Sequence, residues 1–164
     1  MSDGLAADTA AQLKRQADDF ASNGINFTLK ECNLPNVCGG KSFRSHQKAK
    51  RETGNDAVVE ERKLKFDGLY IEVLYELEYP AGTRIKNPYK HPFIEGVTIT
   101  KPNWPVAHGL RVGVTRETVT QVLGKGSGVE NSIEYVNDTK QDSVIFFFKN
   151  NHVEKIQWTP WNDG

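Results

Sequence analysis

Long hydrophobic runs are missing from this chain, and so are most of the residue types that mark a metal or redox site. No stretch approaches the roughly 20 apolar residues that a bilayer-spanning helix needs, so no transmembrane segment is expected. Lysine plus arginine and aspartate plus glutamate balance at 21 each, for a net charge of zero and a pI near 6.9. That balance lacks the basic field of a nucleic-acid binder, and no nucleic-acid partner is expected. The four histidines, His46, His91, His108 and His152, show none of the short spacings of a zinc site, so neither metal nor cofactor is expected.

Cysteine is scarce too: only Cys32 and Cys38 occur, enclosing Asn-Leu-Pro-Asn-Val. Pro35 favours a turn that brings the two together, and a disulfide there would imply an oxidising compartment such as a bacterial periplasm. The other reading is two free thiols in a cytoplasmic protein. Met1–Gly24 lacks the apolar core of an export signal, so periplasmic residence expects a signal removed ahead of this sequence. The expectation is periplasmic, with the cytoplasmic alternative open.

What is present reads as one domain over residues 1–164, in the size range that buries a core without dense disulfides. Residues 1–60 form an N-terminal helix and loop region. Over residues 6–22, Ala6, Ala10, Leu13, Ala17, Phe20 and Ala21 fall near one helical face. Residues 39–56, with a basic cluster from His46 to Arg51, predict a loop with a short helix at most.

Residues 61–100 predict a long hairpin. From Glu61 to Tyr79 the pattern alternates, with Leu69, Ile71, Val73, Tyr75, Leu77 and Tyr79 on one side and Tyr70, Glu72, Leu74, Glu76 and Glu78 on the other. Residues 80–92 hold three prolines and predict a turn-rich connection, followed by a strand at Gly96–Thr100 with Val97 and Ile99 inward.

Residues 109–158 are the most informative unit. Thr115 can cap a short helix whose Val119, Val122 and Leu123 share a face, with Gly124 just past its end. Strands follow at Ser132–Val136, Ser143–Lys149 and Val153–Trp158, separated by a polar turn and by Asn150-Asn151. The expected class is α+β, an antiparallel sheet with helices packed on one face. A faint echo between Gly54–Val73 and Gly128–Phe148 admits two related halves, or coincidence among hairpins.

The order Gly-Leu-Arg-Val-Gly-Val-Thr, Val119, Val122-Leu123-Gly124, Tyr135, Phe146-Phe147-Phe148, Val153 and Ile156-Gln157-Trp158 resembles a known repeat. It is the one shared by the beta-lactamase-inhibitor-protein fold and the outer-membrane assembly lipoproteins of the BamE/SmpA type. The likeness covers about fifty residues of the C-terminal half. It implies a scaffold that holds another protein on a concave sheet or its loops, as secreted inhibitors and immunity proteins do. Fold alone does not fix function.

Glu72, Glu76 and Glu78 alternate along a strand, where acids usually keep an exposed face soluble. Gly124-Lys-Gly-Ser-Gly128 lacks phosphate-loop spacing and predicts a flexible turn. No local motif joins a cysteine to a histidine, and an enzyme is not expected. The binding candidates are Tyr70, Glu72, Leu74, Glu76 and Glu78, a mixture of aromatic anchor and acids suited to a basic surface, with Trp161 as a further anchor. The expected partner is a protein, in the most concrete version a toxin or hydrolase blocked by an inhibitor or immunity protein. The alternative is an envelope assembly accessory of the BamE/SmpA type.

Overall fold

A computed structural model describes residues 3–25, 43–46, 50–51, 58–78 and 89–161, and the side chains of 7–25, 63–74 and 94–161. Helix α1 spans Asp3–Asp19 and runs into a π-helical turn at Phe20–Gly24. Strands follow at Phe43–His46 (β1), Lys50–Arg51 (β2), Val58–Phe66 (β3), Leu69–Glu78 (β4) and Tyr89–Ile99 (β5). After a single 3-10 turn at Ala107–Gly109 come helix α2, Arg116–Leu123, and strands β6 at Ser132–Val136, β7 at Ser143–Lys149 and β8 at His152–Thr159. The strands form one sheet in the order β1-β3-β4-β5-β8-β7-β6, with β2 also beside β3, and every described pairing is antiparallel. The class is α+β.

Cross-strand register sorts the residues onto two faces. One row runs Leu64, Ile71, Val97, Trp158, Val144 and Tyr135; the next runs Phe66, Leu69, Ile99, Ile156, Phe146 and Ile133. All but the half-buried Leu64 are buried, and they join Ala17, Phe20, Ala21, Val119 and Leu123 in one apolar cluster. Both helices therefore lie on this face. Full burial of such side chains is worth about 1.5–3 kcal/mol each, which makes these two rows the main source of stability.

The alanine-rich side of α1 permits close approach. Gln16 Nε2 donates to the Val122 carbonyl at the end of α2 at 2.7 Å. The π-helical turn is held to the sheet by Trp158, whose Nε1 donates to the Ala21 carbonyl at 2.6 Å, and by the Phe20 and Phe146 rings, 5.8 Å apart. Asn137 adds two bonds, from Nδ2 to the Asp18 carbonyl at 3.1 Å and to Ser22 Oγ at 2.8 Å.

Helix α2 forms where the sequence predicts it. Thr115 Oγ1 accepts from the Thr118 N–H at 3.2 Å, and the Gly124 N–H donates to the Thr120 carbonyl at 2.8 Å. Val119 and Leu123 are buried, while Val122 is half-buried.

The N-terminal part departs from expectation in three places. The single strand over 61–79 is two strands, β3 and β4, joined by a two-residue turn at Asp67-Gly68, where Gly68 has φ 83°. A side chain at that φ would be strained, and Asp-Gly between apolar alternations is a strong hairpin signal. The supposed turn-rich connection over 80–92 gives way to strand at Tyr89, with Pro92 opposite Tyr75. Proline is tolerated there because β8 meets β5 only at Val97–Ile99, leaving no β8 donor bond to break. Instead of a loop, the basic stretch supplies β1 and β2, which pair with β3. Cys32 and Cys38 lie outside the described residues.

Candidate functional site

The second face of the sheet carries no described helix. Its central row, taken across the strands, is Lys65, Tyr70, Thr98, Gln157, Ile145 and Glu134. Five strand spacings separate the ends, roughly 24 Å. On one side lies the pair Lys155 and Phe147, with Ser132 beyond; on the other lie Lys63, Glu72 and Gly96. Thr98, Gln157, Ile145 and Phe147 are half-buried, and Tyr70 is 39% exposed. This face is a shallow surface of mixed chemistry.

Three lysines shape it. Lys65 Nζ lies 5.4 Å from the centre of the Tyr70 ring, and Lys155 Nζ lies 4.1 Å from that of Phe147. Lys63 Nζ is 3.4 Å from Glu72 Oε1. An exposed ion pair of this kind contributes little to stability, but it cancels the charge that Glu72 would present to a partner. Each ammonium on a ring keeps the aromatic surface partly covered while leaving its own charge toward solvent.

Of the residues singled out from sequence, Tyr70, Glu72 and Leu74 do share this face of β4, with Leu74 half-buried. Glu76 and Glu78 continue the same strand, opposite His91 and Tyr89, and their side chains lie outside the described set. Trp161 stands apart, 56% exposed beside the β6–β7 turn, where its backbone N–H donates to Asp142 Oδ1 at 2.8 Å. Sequence reasoning missed Lys63, Lys65 and Lys155 as members of the face, which Ile145 and Phe147 also join. The signal was available for the first two, since the Asp67-Gly68 turn places β3 against β4.

The helix side has a groove of about 460 Å³ between α1, the end of α2 and β6, lined by Leu13, Ala17, Leu123 and Tyr135. Three of its charged groups hold one another: Lys14 Nζ lies 2.5 Å from Asp18 and 3.2 Å from Asp138, and the hydrogen bond to Asp18 raises the lysine pKa despite its partial desolvation. Burial pushes the Tyr135 phenol up to about 12, and its hydroxyl donates to the Gly124 carbonyl at 2.8 Å. Glu117, at the start of α2, is held below the usual carboxylate range by its own backbone N–H and by Asn151 Nδ2, 2.9 Å away. These groups tie elements together.

Among the described residues, no group of three His, Cys, Asp or Glu side chains is placed to hold a metal ion. No described helix is long and apolar enough to cross a membrane. No family model, curated protein or solved structure matches the chain.

Proposed function

We propose that this chain is a non-catalytic protein-binding module that docks a partner on the helix-free face of its sheet. The observation that carries the reading is the central row together with the neighbouring Phe147. Tyr70, Ile145 and Phe147 offer partly exposed aromatic and aliphatic surface, set among Thr98 and Gln157 and bordered by charge. Interfaces favour that arrangement, with anchors that exclude water inside a polar rim. The most specific version is a bacterial periplasmic inhibitor or immunity protein that covers the active site of a toxin or hydrolase, burying on the order of 1,600 Å² in total.

The charge of the favoured partner differs from the sequence expectation. With Glu72 matched by Lys63, the described face carries both signs, so a partner of mixed charge fits it better than a strongly basic one.

The test is a pull-down by tagged chain from the cells that naturally make it, followed by affinity measurements on Tyr70→Ala and Glu76→Lys. Loss of about tenfold or more in Tyr70→Ala supports the face as the interface. Affinity unchanged in both variants rejects it.

A further inference from the structure

The described lysines on and beside the open face divide into two kinds. Lys63 is matched by Glu72, and Lys101, which lines a notch with Tyr70, is matched by Asp67. Lys65 and Lys155 rest on rings, 5.4 Å from the centre of Tyr70 and 4.1 Å from that of Phe147. Among the described residues neither of them meets a carboxylate. A ring attracts an ammonium without neutralising it, so both charges stay on offer. Register sets the spacing of the two pairs: Tyr70, Thr98, Gln157 and Ile145 lie abreast on four neighbouring strands, and Phe147 is two residues beyond Ile145. Three strand spacings across and two residues along put the rings roughly 16 Å apart.

We propose, building on the docking role of this face, that the partner is a protein carrying two carboxylates at that span, one for Lys65 and one for Lys155, on either side of an apolar patch. Docking draws each ammonium onto a carboxylate and leaves the ring beneath it to the apolar patch. In a contact from which water is excluded, the charge-assisted hydrogen bond holds an ammonium better than a ring does. The flexible four-carbon stem lets the charged head move while the strand stays still. Each lysine and ring thus form one anchor with a polar and an apolar part. The occupant is a protein and not a lipid or nucleic-acid surface because Glu72 and Glu134 stand on the same face. A surface of uniform negative charge meets those two carboxylates as well as the lysines, whereas a protein can set acids opposite the lysines alone.

The experiment takes the protein recovered with the tagged chain and measures its affinity, over a range of salt concentrations, for three variants: Lys65→Gln with Lys155→Gln, Lys65→Arg with Lys155→Arg, and Tyr70→Ala. A carbodiimide, which joins an amine directly to a carboxylate, maps the contacts in the native complex. The glutamine pair should weaken binding by about tenfold or more at low salt and flatten its salt dependence, while the arginine pair keeps both. The carbodiimide should link Lys65 and Lys155 to aspartates or glutamates of the partner. Weaker binding in Tyr70→Ala, with the glutamine pair binding as tightly as the native chain or more so, overturns the acidic match and leaves the docking face standing. No change in any of the three variants overturns both. Binding to phosphatidylserine–phosphatidylcholine vesicles that the glutamine pair abolishes assigns the lysines to a lipid surface and overturns the protein occupant.

Discussion

At the scale of single residues, Trp158 couples the sheet to the helical layer. Its ring lies in an apolar row between Val97 and Val144, and its Nε1 reaches out of the sheet to the Ala21 carbonyl. A buried indole needs such an acceptor, and a helical turn rarely offers one in its interior. The π-helical turn at Phe20–Gly24 presents that carbonyl to the sheet at the point where α1 meets β8. Replacing Trp158 by Phe keeps an aromatic ring but removes the donor and leaves space beside Ala21. Stability should fall by roughly 1–3 kcal/mol, seen as a lower denaturant midpoint at unchanged slope. A midpoint equal to that of the native chain would mean the bond contributes nothing.

At the scale of elements, Tyr135 ties the end of α2 to β6 through its bond to the Gly124 carbonyl. Its folded pKa, pushed up to about 12 by burial, exceeds the value of 10.0 for a free phenol. The folded state therefore keeps the proton that the unfolded state loses. The stability this group contributes is whole below pH 10 and declines as the pH climbs toward 12. Tyr135→Phe should flatten that alkaline decline in a thermal-melt series, although it lowers stability at neutral pH. An unchanged alkaline slope would assign the decline to another group. Elements of this C-terminal unit were legible in the sequence because their signals are local: a capping Thr115, a stop at Gly124, alternation at the start of β6, the apolar run of β7, and Asn150-Asn151 at the hairpin. The N-terminal strands were harder for a physical reason. In β3 the charges of Lys63 and Lys65 alternate with only Leu64 and Phe66, so the apolar signal is thin, and β5 carries Pro92 on a stretch that β8 does not reach. The Asp67-Gly68 signal was there to be used, and it would have added the lysines to the candidate face.

At the scale of the whole molecule, both helices and nearly all the apolar burial sit on one side of a twisted antiparallel sheet, leaving the other side to solvent among the described residues. This is the asymmetry of an antiparallel sheet with one face packed on the core and the other solvated, and the proposed function puts recognition on the second. The face itself can be tested without knowing the partner beforehand. A photoactivatable benzophenone side chain is placed at Gln157, in the middle of the central row, and separately at Arg15, on the exposed side of α1. Both chains are irradiated in the native cells. A discrete protein adduct from position 157, absent from position 15 and lost when Tyr70→Ala is added, is the predicted result. An adduct formed from position 15 and never from position 157 would contradict recognition through the open face.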